Sequence, residues 1–210
     1  MMGCKSRYNK LEAKREYYLD RAREASELTI PALLPPEGFS ASNSIYTPYQ
    51  SVGARGVNNL ASKLLMLLLP PNVPFFRLMP DSDSAKELDK NPQIKQEVES
   101  SLSKIERDVM DEIETSAIRV SVFEALKHLI VTGNVLIHLP KNGRLKVFPL
   151  TNFVCRRDPN GEVVEIIVKE LVSKEALGEG PPEETYDGPN RIENSYNSAD
   201  AVPLFTKIIK

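Results

Sequence analysis

One helix with encoded ends, between Thr47 and Pro71, constrains the fold of this chain more than any other segment. Thr47 suits the N-cap, Pro48 suits the first helical position, and Gln50 completes a capping box. Pro70 and Pro71 end the helix, because proline cannot continue one. Apolar residues recur between these limits at helical spacing, which predicts one buried face: Val57, Leu60, Leu64 and Leu68.

Two glycines interrupt this helix, although each costs a helix about 1 kcal/mol relative to alanine. Gly53 and Gly56 lie about one turn apart, which predicts that another backbone or helix approaches closely there. Four polar residues accompany them among the apolar positions: Arg55, Asn58, Asn59 and Lys63. These six residues are the candidate interface and packing residues, and ordinary solvent-facing polar side chains remain an equal alternative for the last four.

The segments on either side of this helix have weaker signals. A first helix is predicted from about Lys5 to Thr29, with one face made of Tyr8, Leu11, Tyr18, Ala22, Ala25 and Thr29. Residues 31–46 are rich in proline, serine and asparagine and predict a loop. Phe75–Met79 predicts a short strand between prolines, and Asp81–Asn91 predicts a polar, exposed segment.

Two further helices precede the predicted strands. Asn91 and Pro92 open the first with an N-cap and a first-turn proline. Its apolar stripe has a sustained helical spacing: Ile94, Val98, Leu102, Ile105, Val109 and Ile113. The second runs from Arg119 to Thr132, with Phe123, Leu126 and Ile130 facing inward, and Gly133 ends it.

Antiparallel hairpins follow the helices. Val135–Leu139 and Leu145–Phe148 flank a turn at Lys141–Gly143. Phe153–Arg157 and Val163–Val172 flank a turn at Asp158–Gly161, which has the residues of a type I turn. Residues 178–202 predict a mobile or disordered insert, and Leu204–Ile209 predicts a returning strand. The fold class is therefore α+β, with long amphipathic helices followed by antiparallel β-hairpins.

Composition and motifs give no support for catalysis. The net charge is −2 and 41% of residues are hydrophobic, so neither a basic nucleic-acid binder nor a membrane protein is indicated. Cys4 and Cys155 predict free thiols. His128 and His138 are isolated and predict structural histidines, and no phosphate-binding loop is present. We predict no enzyme activity, no catalytic residue, no metal site and no cofactor.

Four segments carry a resemblance to a known family. The capped helix at residues 47–71 resembles a segment near the N-terminus of the head-to-tail connector (portal) proteins of short-tailed double-stranded-DNA phages. Leu28–Pro36, Ile118–Pro140 and Asn152–Glu170 resemble three further segments of that family, in the same order. The resemblance covers roughly residues 10 to 170 and implies the wing-like region of a portal subunit.

The resemblance implies a structural role in the virion. Family members form a dodecameric ring at the capsid vertex, conduct DNA during genome packaging and ejection, and dock terminase and tail. The implied partners are further copies of the chain, capsid and scaffolding proteins, terminase, tail adaptor proteins, and double-stranded DNA without sequence specificity. No membrane is implied. The implied location is the virion capsid vertex, with host cytoplasm during assembly.

The resemblance also implies a domain division. Residues 1–172 are expected to form the wing-like domain, 173–202 a flexible loop or insert, and 203–210 a returning strand, with the chain truncated before the stem and clip regions. On this basis the six candidate residues would meet other wing elements or an adjacent subunit. The alternative functions are a non-catalytic soluble interaction or adaptor domain and a nucleic-acid-binding module.

Overall fold

The computed structural model describes residues 3–36, 39, 44–71, 73–140, 144–173 and 201–209. Helices lie at Cys4–Ala13 (α1), Glu16–Leu28 (α2), Val52–Leu68 (α3), Ser82–Leu88 (α4), Pro92–Thr115 (α5) and Ile118–Thr132 (α6). Strands lie at Leu136–His138 (β1), Lys146–Phe148 (β2), Phe153–Arg157 (β3), Val163–Ser173 (β4) and Ala201–Ile209 (β5). Helices followed by two small sheets confirm the α+β class.

The chain divides into two compact units. Unit 1 comprises Met1–Val57, His128–Leu136 and Phe148–Lys210. Unit 2 comprises Asn58–Lys127 and Ile137–Val147. The domain division expected from the sequence, with a first domain at residues 1–172, stays a prediction.

In unit 1, a three-stranded antiparallel sheet in the order β3-β4-β5 has both faces covered. One face packs against α2 in a buried cluster of Leu19, Ala22, Leu34, Phe148, Leu150, Phe153 and Val168. The other face packs against α1 in a second cluster of Tyr8, Leu11, Val154 and Ile167. Because Phe153 and Val154 are consecutive in β3, their side chains point to opposite faces of the sheet. The sheet therefore lies between two helices.

The single first helix predicted at Lys5–Thr29 is wrong, because the chain breaks after Ala13 into α1 and α2. Arg15 lies at the break, where its guanidinium donates a 2.9 Å hydrogen bond to the carbonyl of Leu150. The break lets the two helices cover opposite faces of one sheet. It also shifts the helical phase, so that Leu19 is buried and Tyr18, predicted to face inward, is 40% exposed.

The hairpin between β3 and β4 forms as the sequence predicts. Gly161 N–H donates to the Asp158 carbonyl at 3.0 Å, which closes the turn. The Asp158 carboxylate accepts a 2.8 Å hydrogen bond from the Glu162 N–H, and Gly161 has a φ of +87°. Glycine reaches that left-handed conformation without a steric penalty, so this turn's residues fix where the hairpin bends.

The capped helix starts later than predicted. α3 begins at Val52, and the Ser51 carbonyl accepts the first intrahelical hydrogen bond, from Arg55 N–H, at 2.9 Å. The predicted N-cap at Thr47 is therefore wrong, and Ser51, a residue type also favoured at N-caps, takes that position. The end is close to the prediction, since α3 stops at Leu68, two residues before Pro70.

One prediction for unit 2 is also corrected. Phe75–Met79 is not a strand; Leu78 instead donates its N–H to the Glu106 carboxylate at 2.6 Å. The segment predicted as polar and exposed has mostly exposed residues where they are described, and it contains α4. A five-residue apolar run does not by itself distinguish a strand from an extended segment held by a side chain.

The remaining elements agree with the sequence to within a few residues. α5 begins at Pro92 after Asn91, and α6 ends at Thr132 before Gly133, whose φ is +74°. β1 and β2 form a two-stranded sheet. The predicted turn at Lys141–Gly143 and most of the predicted insert, residues 174–200, lie outside the described residues. The predicted returning strand at Leu204–Ile209 is present in β5, which begins at Ala201.

Candidate assembly surface

The helix α3 has one covered face and one open face. Val57 and Ala61 are buried, at 6% and 0% exposure. Leu60 and Leu68, predicted to share the buried face, are 48% and 55% exposed. The apolar residues of α3 therefore extend beyond the surface that the described part of the chain covers.

The two glycines of α3 differ in their surroundings. A Cβ added to Gly53 would lie 2.4 Å from the Leu28 carbonyl oxygen and 3.1 Å from the Thr29 Cα. The 2.4 Å distance is shorter than van der Waals contact. The absence of a side chain at Gly53 therefore lets the backbone at the end of α2 approach α3. At Gly56, no described atom lies within 4 Å of the same added Cβ. The close approach occurs at one of the two glycines.

The four polar candidates on α3 are all exposed: Arg55, Asn58, Asn59 and Lys63. Lys63 lies three or four residues from Leu60, Met66 and Leu67, so these side chains are neighbours on the helix surface. Met66 and Leu67 are 66% and 79% exposed. We define the outer face of α3 as Asn59, Leu60, Lys63, Met66 and Leu67. It combines a cation with three large apolar side chains.

The helix α5 buries none of its 24 residues. Its predicted stripe is regular, yet Ile94, Ile105 and Val109 are 50%, 48% and 40% exposed. Asp108 lies three residues from Ile105 and Glu112 lies three residues from Val109, and both carboxylates are exposed. We define the acidic flank of α5 as Ile105, Asp108, Val109 and Glu112.

A small cavity of 340 Å³ lies in unit 2, between Arg77–Pro80, α4 and α5. At its rim, Lys95 Nζ donates to Asp89 Oδ1 at 2.8 Å, and this hydrogen bond raises the pKa of Lys95. Glu106, another lining residue, already accepts the Leu78 N–H. The charged groups at the rim of the cavity stabilise the fold of unit 2, because their described hydrogen bonds join segments of that unit.

A cluster of charges in unit 1 was not predicted from the sequence. Glu165 in β4 is 4% exposed and accepts hydrogen bonds from the Arg7 guanidinium, the shortest at 2.9 Å. Arg156 of β3 and Lys207 of β5 lie 3.4 and 3.2 Å from the same carboxylate. The hydrogen bond from Arg7 is the main cause that lowers the pKa of Glu165. One carboxylate thus links α1 to all three strands.

A signal for this cluster exists in the sequence. Glu165 is two residues from Ile167, so an alternating strand places both on the same face. A charge on a buried face requires an ionic partner. The partners themselves, at sequence separations of 158 for Arg7 and 42 for Lys207, follow only from the strand pairing and the packing of α1.

The histidines and cysteines do not form a common site. His128 is buried at 5% exposure, whereas His138, predicted to be structural, lies exposed in β1. Cys4 and Cys155 are not joined in a disulfide. Among the residues whose positions are described, no three His, Cys, Asp or Glu side chains are placed to hold a metal ion.

None of the described helices combines the length and the apolar character that a membrane crossing requires.

Comparison with known proteins identifies the family. The model of the bacteriophage head to tail connecting protein matches residues 2–188. The portal protein of Escherichia phage T7 is 40% identical over 182 residues, covering 84% of this chain and 34% of its own length. Those of Enterobacteria phages T3 and SP6 are 39% and 33% identical, over 84% and 81% of this chain and 34% and 32% of their own. The chain spans about a third of the length of these relatives, and it belongs to the bacteriophage head to tail connecting protein family.

Proposed function

We propose that this chain is the N-terminal, wing-like part of a structural portal subunit. The subunit would form a ring at the capsid vertex, conduct DNA during packaging and ejection, and provide a docking platform for terminase and tail. Support comes from the family match over residues 2–188 and from relatives that are named portal proteins.

The observation that carries this proposal is the uncovered apolar surface of α5. The described part of the chain buries none of the 24 residues of this helix, although six apolar residues recur along it. Exposed apolar side chains that are contiguous on a surface indicate a protein–protein contact. A ring subunit needs such surfaces, because each copy contacts two neighbours.

The proposal includes the domain division and the partners expected from the sequence. Residues 1–172 form the wing-like domain, and the returning strand is β5, Ala201–Ile209, which begins two residues before the expected boundary at 203. The partners are further copies in a dodecamer, capsid and scaffolding proteins, terminase and tail adaptor proteins. The location is the virion capsid vertex, and host cytoplasm during assembly.

DNA contact in this proposal is weak and independent of sequence. The net charge of −2 favours this, because the electrostatic part of DNA affinity grows with the number of phosphates neutralised by Lys and Arg. A conduit that held the phosphates tightly would slow translocation. The role is structural rather than catalytic, in agreement with a family described as connecting protein.

Electron microscopy of the full-length protein encoded by the gene tests the proposal. We expect closed rings, with a subunit count that the images give directly. A monodisperse monomer at micromolar concentration would contradict the proposal. A salt titration of DNA binding by the chain is the companion measurement, and tight, steeply salt-dependent binding would favour a nucleic-acid-binding module instead.

The candidate residues of α3 have their own test in the same protein. Arg55 and Lys63 are exposed, so reversing both charges to glutamate is expected to leave the fold intact. We expect ring assembly to weaken, because both side chains are proposed to meet a neighbouring subunit or wing element. Unchanged assembly together with unchanged thermal stability would remove this role.

A further inference from the structure

Two uncovered surfaces of unit 2 are complementary in charge. α3 contains two basic residues, Arg55 and Lys63, and no acidic residue. α5 contains seven acidic residues and three basic ones, which gives it a net charge of −4. Each helix also carries large apolar side chains that the described part of the chain leaves exposed. Opposite charge around apolar contact is the pattern of a protein–protein interface.

We propose that the outer face of α3 in one copy of the chain packs against the acidic flank of α5 in the next copy. This inference rests on the proposed function and adds to it the two surfaces that meet. Lys63 lies between Leu60 and Leu67 on α3, and Asp108 and Glu112 border Ile105 and Val109 on α5. The apolar side chains form the centre of the contact and the charges its edge.

The charges disfavour a contact of α5 with α5, because its carboxylates would repel one another. The ring of the proposed function requires a heterologous contact, in which each copy uses its α3 surface toward one neighbour and its α5 surface toward the other. Heterologous contacts close into rings when the rotation between copies allows it.

Gly56 provides a further reason to place the contact on α3. It lies four residues before Leu60, and no described atom fills the space beside it. Glycine lowers helix stability, and no described neighbour within the chain explains why glycine occupies this position. A partner helix that approaches α3 closely at Gly56 would explain why this position has no side chain.

Charge reversal with rescue tests the pairing in the full-length protein. The variant Lys63→Glu is expected to weaken assembly about tenfold or more, because it places like charges together at the contact. Adding Glu112→Lys or Asp108→Lys to the same chain is expected to restore assembly, since each copy supplies both surfaces. Sedimentation velocity over a concentration series measures the oligomer distribution, and negative-stain images show the rings.

The control is Lys10→Glu, the same change at an exposed lysine of α1 outside both surfaces. It should assemble as the wild type does, and the thermal midpoint of each variant chain shows whether it folds. If the wild type forms rings, two results would overturn the pairing and leave the proposed function standing. One is unchanged assembly of Lys63→Glu, and the other is the lack of rescue by either α5 substitution. A wild type that forms no oligomer would overturn both.

Discussion

The sheet of unit 1 and the helix α5 of unit 2 both carry large apolar side chains but have opposite surroundings. In unit 1, Val154 and Ile167 are fully buried between strands and α1. In α5, no residue of the periodic apolar stripe is buried. The comparison shows that an apolar pattern predicts where apolar surface forms and leaves open which molecule covers it.

The difference has an energetic consequence. Burying apolar surface contributes about 25 cal/mol per Å², so unit 1 obtains this stabilisation within the folded chain. The exposed side chains of α5 obtain it only when another surface covers them. We therefore expect substitutions in unit 1 to affect the isolated chain, and substitutions on α5 to affect association.

The largest expected effect comes from replacing isoleucine with alanine once in each unit, which tests this contrast. Ile167→Ala removes a fully buried side chain and is expected to destabilise the isolated chain by about 2–5 kcal/mol. Ile105→Ala, at 48% exposure, is expected to cost less than about 1 kcal/mol. Urea denaturation of both variants, followed by circular dichroism, gives the two free energies of unfolding.

The same two variants should reverse their order in an association experiment. Ile105→Ala removes part of the acidic flank of α5 and should weaken assembly of the full-length protein, although its fold is nearly unchanged. Equal destabilisation of the isolated chain by both substitutions would show that α5 is covered within its own chain, and the contrast between the units would fail.

Local chemistry in the sequence predicted the elements whose ends depend on a few adjacent residues. Gly133 ends α6, and Asp158 and Gly161 set the β3–β4 turn, because turn and cap geometry involve only neighbours in the chain. The predictions are wrong where contacts between residues far apart in the sequence determine the local structure. The break before α2 accompanies the contact of Arg15 with the Leu150 carbonyl, 135 residues away.

The candidate site follows the same rule. The polar residues of α3 were found because they interrupt an apolar helix, and their exposure agrees with a surface role that remains a prediction. Glu165 was missed because its three partners come from α1, β3 and β5. No pattern over neighbouring residues contains that arrangement, and only strand register and helix packing assemble it.

The glycine pair of α3 repeats the contrast between covered and open surface within one helix. Gly53→Ala is expected to destabilise the chain by about 1–3 kcal/mol, because the added methyl would meet rigid backbone at Leu28. Gly56→Ala is expected to stabilise it by up to about 1 kcal/mol, because alanine is the better helix former and the space is open. Thermal and urea denaturation of the two variants should give opposite signs, and a shared sign would contradict the geometry.

The smallest expected effect concerns Glu165, because the three cations around it are 25%, 49% and 35% exposed and water screens the attraction. Its pKa is lowered in the folded chain, chiefly by the hydrogen bond from Arg7. A lowered folded pKa contributes stability that is present above the unfolded pKa of about 4.3 and is lost as the pH falls through the folded value. Unfolding free energies should therefore fall in acid.

Glu165→Gln identifies how much of that acid sensitivity belongs to the cluster. The glutamine keeps the shape but cannot ionise, so the variant should be less stable than the wild type at pH 7 and closer to it below pH values of about 4. Glu162→Gln, an exposed position in the adjacent turn, is the matched control. If the two variants show the same pH dependence, the buried carboxylate does not hold α1 to the sheet.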